Sequence, residues 1–338
     1  MAEKISDIGE FGLIARIDAV IQREGVGSDQ VTVGIGDDTA SFTPRAGYEV
    51  LVTCDAMVEN RHFLSGSISP FDLGRRAMVQ NISDIGAMGG RPVYALVSLG
   101  LRGEIPVSEI EDLYRGFISE LNPFDACIVG GNITGTTGPL FIDITLIGEV
   151  EQGRAMRRSG ATAGDVILVT GYPGQSCAGL QLLLNASDRT SLQDHPLVKG
   201  YNTPSHRAQL GAAIGKTARA TAMIDTSDGF LGDLGHICET SRVGAEVMDE
   251  KIPISDDLLD VAGELGKDPK EFFLGDSDDY ELIITCRPEN AQLFRSLAAD
   301  HGVPITEVGR ITPLPGIFLV RADGTRERLR SISWDHFR

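Results

Sequence analysis

Positive charge is what this 338-residue chain is shortest of: 30 Lys and Arg stand against 48 Asp and Glu, for a formal net charge of −18. An excess of that size repels polyanions, which sets aside nucleic acid and anionic membrane surfaces as partners. Long apolar runs are missing too. The longest, VYALVSLGL (Val93 to Leu101), falls well short of the roughly 20 residues a membrane helix needs. The opening MAEKISDIGEF has neither a basic start nor an apolar core, so no secretory signal is read there. Cysteine is sparse: Cys54, Cys127, Cys177, Cys238 and Cys286 are scattered, without a C-x-x-C. An odd, dispersed set argues against a disulfide framework and for reduced, mostly buried thiols in a cytoplasmic protein. No G-x-x-x-x-G-K-[ST] occurs, which excludes a P-loop, and no G-x-G-x-x-G supports dinucleotide binding. No Ser-His-Asp or Cys-His nucleophile arrangement suggests itself.

What is present is an alternation of helical and extended patterns long enough for two domains. Residues 6–24 carry Ile8, Phe11, Ile14, Ile17 and Ile21 near helical spacing. QVTVGIG and YEVLVTCD read as strands that run into acidic residues. SPFDLGRRAMVQNISDIGAMGG reads as a helix capped by Ser69, entered through Pro70 and stopped by Gly89 and Gly90. RPVYALVSLGL is a buried strand. Ile110, Leu113, Phe117, Ile118 and Leu121 then mark a helix over 108–121, and ACIVGGN and LFIDITLIGEV follow as strands. The polar stretch EQGRAMRRSGATAGD (151–165) is the expected boundary, giving domains of 1–150 and 151–338. After it come strand DVILVTG, helices around CAGLQLLL and HRAQLGAAIG, strand TAMID, a helix with Leu231, Leu234 and Cys238 on one face, strand DDYELIITC, and a hairpin around Asp323-Gly324. The expected fold class is α/β or α+β in two domains.

Short acidic motifs recur at strand ends and helix starts: GIGDD (Asp37, Asp38), TCD (Asp55), NISD (Asp84), DTSDG (Asp225, Asp228) and GDSDDYE (Asp276, Asp278, Asp279). Any one of them is most simply a turn or a cap. Together they say more. Two carboxylates about 4 Å apart repel by roughly 4 kcal/mol at an effective dielectric of about 20. Converging carboxylates therefore titrate or hold a divalent cation, and hard oxygen donors select Mg²⁺ or Ca²⁺. Mg²⁺ in turn joins carboxylates to phosphates, so an acidic turn takes a phosphate through the metal. Asp84 carries its own argument. It sits in an otherwise apolar helix with Asn81 on the same face, where an unpaired carboxylate is costly unless the face meets solvent. Other candidates remain two-sided. Arg158 clamps a phosphate or is a solvated linker residue. Ser227 and Asp228 open a helix whose free N–H groups welcome an anion, or simply cap it. His62 meets a ligand or lies in a loop. Trp334, the single tryptophan, plugs a core or stacks on a ring.

GEFGLIARI, GIGDDTA, CDAMVENRHFL, NISDIGAMGGRP, VGGNITG, RRSGATAGD, IDTSDGFLGDLGHI, DDYEL and WDHF occur in that order. This succession resembles the thiamine-monophosphate kinase family of the aminoimidazole-ribonucleotide synthetase superfamily, from about residue 9 to 337. The resemblance implies a two-domain fold of that superfamily, with an N-terminal ATP/Mg²⁺-binding and dimerising domain. It implies transfer of the γ-phosphoryl of ATP to thiamine monophosphate, with Asp38, Asp84 and Asp228 as catalytic carboxylates, in a homodimer. Carried over by motif, the Mg²⁺ ligands are Asp38, Thr53, Cys54 (through its carbonyl), Asp55, Asp84, Asn132, Asp225 and Asp228. ATP meets Tyr114, Gly131, Arg158 and Ser227, and thiamine monophosphate meets His62, Asp278 and Trp334. The chain departs from the family where GDSDDYEL replaces a Gly-Gly-Glu-Asp-Tyr-Glu-Leu run, where Cys54 replaces Thr, and where Asn132 replaces a common Asp. These departures keep open a kinase for a different heterocyclic phosphate and a nucleotide-binding relative without catalysis.

Overall fold

The computed structural model describes residues 2–329. The chain divides into two compact units: residues up to Ile85 together with Arg91–Gly153, and Gly86–Gly90 together with the residues from Arg154 on.

The first unit runs α1 (Ile5–Glu24), β1 (Val31–Val33), β2 (Ser41–Phe42), β3 (Tyr48–Val58), α2 (Pro70–Ala87, whose last two residues count with the second unit), β4 (Arg91–Leu101), α3 (Val107–Leu121), β5 (Cys127–Gly135) and β6 (Phe141–Glu151). Its sheet has the order β3-β6-β4-β5, antiparallel except for the parallel β4–β5 pair. One face is dry. Ala95, Val97, Leu99, Ile142, Ile144 and Leu146 are fully buried, as are Leu13 of α1, Ile82 of α2 and Phe117 of α3. Each such side chain contributes about 1.5–3 kcal/mol by leaving water. The periodic helix expected over 108–121 is α3, with Ile110, Leu113, Phe117, Ile118 and Leu121 all buried. Helices α2 and α3 meet at glycines: a Cβ on Gly74 would lie 2.1 Å from the Leu113 carbonyl oxygen, and one on Gly116 would lie 2.1 Å from that of Phe71.

The second unit continues β7 (Val166–Thr170), α4 (Gln175–Asn185), α5 (Pro196–Asn202), α6 (Ala208–Thr217), β8 (Ala220–Asp225), α7 (Phe230–Ser241), β9 (Gly244–Met248), α8 (Asp256–Leu265), α9 (Pro269–Leu274), β10 (Leu282–Cys286), α10 (Ala291–Asp300), β11 (Ile305–Thr312), β12 (Gly316–Val320) and β13 (Arg326–Leu329). The sheet order is β13-β12-β9-β11-β7-β10-β8, with β9–β12 as its parallel pair. Ile167, Val169, Ala222, Ile224, Leu234, Ile237 and Ile283 fill one core, and Leu168, Met223, Ile284, Ile214 and Phe294 another.

The structure differs from the sequence reading in several places; the strand read over QVTVGIG, for one, forms only over Val31–Val33. The N-terminal helix is interrupted at Gly9, which has φ +68°. The strand read over DDYELIITC begins only at Leu282. Tyr280 takes φ +55°, so the residues before it turn as a loop, and the Asp-rich stretch is free to bond sideways. The Asp323-Gly324 hairpin forms as expected, with Gly324 at φ +84° between β12 and β13.

Candidate functional site

In the first unit, strand alternation sorts the expected ligands onto two faces. Thr53 and Asp55 point to the helix side, where the Thr53 hydroxyl donates to Asp84 Oδ2. Asp84 of α2 is thus held by a polar neighbour on β3 and is only partly buried. Cys54 lies on the opposite face. Its thiol donates to Asp143 Oδ1 at 3.3 Å and receives the Thr145 hydroxyl at 3.5 Å. Register puts Ala56, Asp143, Ser98 and Asn132 in one row across the sheet, so Asn132 shares the Cys54 face and not the Asp55 face. The Cys54 side chain therefore offers no thiol beside Asp84; only its main chain is shared with Thr53 and Asp55. Asp37 and Asp38 occupy an exposed turn, in which the Asp38 N–H donates to Asp37 Oδ1 at 2.8 Å. Gly131 serves the packing of β5 directly: a Cβ there would lie 1.9 Å from the Val97 carbonyl oxygen. Tyr114 is buried on α3, where burial raises its phenol above the usual range and its ring packs edge-on against Phe117. His62 lies in the loop after β3 and accepts the Val58 N–H at Nδ1.

In the second unit, two acidic turns lie against each other. Asp225 ends β8 and is buried; Ser227 and Asp228 follow in the turn that opens α7 at Gly229. A Cβ on Gly229 would lie 2.2 Å from the Gly275 carbonyl oxygen, which brings the 225–229 turn up to the 275–281 loop. The two are laced by backbone bonds: Thr226 N–H to the Glu281 carbonyl at 2.8 Å, and Tyr280 N–H to the Thr226 carbonyl at 2.9 Å. Within this loop Asp279 accepts the Gly174 N–H at 2.6 Å and the Ser176 N–H at 2.8 Å, so it caps the first turn of α4. Asp278 accepts the Ser176 hydroxyl at 2.5 Å. Burial, reinforced by Asp228, raises Asp276.

Two residues that sequence reasoning passed over complete this cluster. Asp233 on α7 is buried and accepts the N–H groups of both Ser227 and Asp228 at 3.1 Å, fixing their turn. Burial first, and Asp225 beside it, push its carboxyl up to about 8. His236 follows one turn later, and ligand atoms of Asp228, Asp233 and His236 all lie within 4.8 Å of one another. The available signal was an acidic residue in the first turn of a helix that follows an acidic loop. Arg158 is exposed, and its charge lowers Asp233, so it stands near the same turn. Trp334 lies outside the described residues.

The donor chemistry fits Mg²⁺. Carboxylate and hydroxyl oxygens gather in each unit: Thr53 with Asp84 in the first, and Asp228 with Asp233 in the second. No helix of the described residues is long and apolar enough to cross a membrane.

Residues 36–150 match the model of the AIR synthase related protein N-terminal domain, and residues 162–321 that of the C-terminal domain. A thiamine-monophosphate kinase from Bacillus subtilis is 34% identical over 311 residues, 91% of this chain and 94% of that protein. The chain belongs to the thiamine-monophosphate kinase family. The crystal structure of the thiamine-monophosphate kinase from Stenotrophomonas maltophilia K279a superposes with a TM-score of 0.80 at 34% identity, covering 95% of this chain and 98% of that one. AaThiL complexed with AMPPCP and TMP gives 0.75 at 33% identity over 100% of both chains. The two-domain fold of the family is thus the fold of this chain.

Proposed function

We propose that this chain transfers the γ-phosphoryl group of ATP to thiamine monophosphate, giving thiamine diphosphate and ADP. The observation that carries the reading is full-length correspondence to AaThiL, a relative complexed with AMPPCP and TMP. An oxygen of the acceptor phosphate attacks the γ-phosphorus, and the bond from that phosphorus to the β–γ bridging oxygen breaks as ADP leaves. The acceptor is already an anion, so no general base is assigned. The protein's part is alignment and charge neutralisation.

Asp38, Asp55 and Asp84 with Thr53, the Cys54 carbonyl and Asn132 in the first unit, and Asp225 and Asp228 in the second, would hold Mg²⁺. Bound there, the metal would neutralise the phosphate oxygens and the charge that develops on the leaving group. Asp233 keeps the Ser227–Asp228 turn in shape for that task. Tyr114, Gly131, Arg158 and Ser227 are assigned to ATP, and His62, Asp278 and Trp334 to the acceptor. Residues 1–150 form the ATP/Mg²⁺-binding and dimerising domain and 151–338 the C-terminal domain of a cytoplasmic homodimer. The open face of β3 supports the dimer, since Val50 is 49% and Val52 65% exposed there.

An assay of ATP, Mg²⁺ and thiamine monophosphate, reading thiamine diphosphate formed, tests the whole. Turnover of another phosphorylated heterocycle in preference would reassign the acceptor. ATP binding without transfer to any acceptor would refute the kinase reading.

A further inference from the structure

Thr226 stands between Asp225 and Ser227 and is fully buried. It is bonded across to the 275–281 loop at three points. Its N–H donates to the Glu281 carbonyl at 2.8 Å, its carbonyl accepts the Tyr280 N–H at 2.9 Å, and its hydroxyl oxygen accepts the Glu281 N–H at 3.0 Å. The two main-chain bonds set the spacing of the segments. The hydroxyl adds the point that resists a twist of one against the other.

Glu281 is itself held from its far side. Its carboxylate accepts Arg207 Nε and Nη2, each at 2.6 Å, and the Thr170 hydroxyl at 2.5 Å. The Thr170 hydroxyl oxygen accepts the Leu282 N–H at 2.8 Å, so the end of β7 grips both the Glu281 side chain and the first residue of β10. Gly171 leaves the carboxylate its seat: it lies at φ +57°, and a Cβ there would stand 1.9 Å from Glu281 Oε1. Thr226, Glu281 and Thr170 are all buried, and a buried network of short bonds admits few other arrangements. The start of the same loop is tied to α4. Ser277 accepts the Cys177 N–H at 3.0 Å, Asp279 the N–H groups of Gly174 and Ser176, and Asp278 the Ser176 hydroxyl. The loop is thus pinned at both ends, and Thr226 fastens the 225–229 turn to it.

We propose that Thr226 and Glu281 are positioning residues for phosphoryl transfer, setting the Ser227–Asp228 turn in register with Asp278. The proposal rests on the assignment of that turn to ATP and Mg²⁺ and of Asp278 to the acceptor. Transfer in line depends on alignment, and a misplacement of about 1 Å costs about 10²-fold in rate. Each segment keeps its own support when the Thr226 hydroxyl is lost, because Asp233 still holds the turn and α4 still holds the loop. Each substrate then binds nearly as before, while the reacting groups lose their alignment.

Steady-state kinetics on the full chain, with circular dichroism and thermal scans, test this. Thr226→Val keeps the side chain's shape and deletes the hydroxyl. It is expected to lower kcat about 10- to 100-fold, with KM for ATP and KM for thiamine monophosphate each within about twofold of the unmodified protein. Thr226→Ser returns the hydroxyl and is expected to recover kcat to within about twofold. Glu281→Gln keeps the main-chain bonds and weakens the hold of Arg207, so kcat is expected to fall by a smaller factor in the same pattern. It also decides the matter if Thr226→Val does not fold, since an unchanged kcat in Glu281→Gln then overturns the proposal. A folded Thr226→Val protein that keeps its kcat within about twofold overturns it however far Tm falls. So does Thr226→Ser if it is as slow as Thr226→Val, because the loss then belongs to the methyl group. A rise in one KM with kcat unmoved overturns it as well. If the unmodified protein forms no thiamine diphosphate, the kinase reading itself falls and takes this proposal with it.

Discussion

Removing the Glu281 carboxylate should destabilise the second unit more than any loss at the molecular surface. Arg207 reaches it with Nε and Nη2, each at 2.6 Å, and the Thr170 hydroxyl donates at 2.5 Å. The Glu281 side chain is 7% exposed and that of Arg207 21%. Glu281→Ala deletes three short hydrogen bonds and strands a guanidinium in a poorly solvated place. Breaking a buried pair from one side costs about 3–5 kcal/mol. For a domain of roughly 150–250 residues each kcal/mol lowers Tm by about 2–4 °C, so a fall on the order of 10 °C is expected. Urea unfolding and thermal scans of Glu281→Ala, Arg207→Ala and the double variant measure it. Most of the cost belongs to the charge left behind, so the double variant should lose much less than the sum of the singles. A loss for Glu281→Ala below about 1 kcal/mol, the value of an exposed ion pair, would refute the reasoning.

Gly131→Ala should destabilise the first unit by about 1–3 kcal/mol, because the added methyl group meets the Val97 carbonyl at 1.9 Å and parts β4 from β5; an unchanged urea midpoint would contradict this. Asp84→Asn keeps an oxygen for the Thr53 hydroxyl but removes the charge. It should lower kcat/KM by about 10²-fold or more with circular dichroism unaltered, and full activity would take Asp84 out of the site. Burial lifts Asp279 to about 6, above its ordinary 3.8, so the folded state binds the proton more tightly. The contribution of this group is then greatest below pH 4 and is lost as pH rises through 6. Measured stability relative to Asp279→Asn should therefore be higher at pH 4.5 than at pH 7.5; a difference that is flat or grows with pH would count against the assignment.

Much of the architecture is local and so was open to reading along the chain. Helix α3 announces itself through Ile110, Leu113, Phe117, Ile118 and Leu121, since a period near 3.6 needs no knowledge of what packs against it. Gly324 at φ +84° and Gly229 at φ +104° occupy turns that only glycine enters without strain, and their acidic neighbours flag the same turns. The acidic motifs at strand ends mark where chemistry concentrates for the same reason: backbone turns and free N–H groups are properties of a few consecutive residues. The reading failed at DDYELIITC, where an alternation typical of strands covers a loop that Tyr280 bends at φ +55°.

Other features were settled by tertiary structure alone. Strand pairing set Asn132 on the face of Cys54 and not on that of Thr53 and Asp55, because its place relative to β3 depends on the register through β6 and β4. Asp279 became a cap for α4, Asp233 a clamp on the Ser227–Asp228 turn, and Glu281 the partner of an arginine 74 residues away. Charge and sequence spacing fix how many carboxylates there are and roughly where each leaves its strand. Which of them meets a hydroxyl, an N–H or another anion is decided by distances across the chain, and those exist only once the sheets have formed.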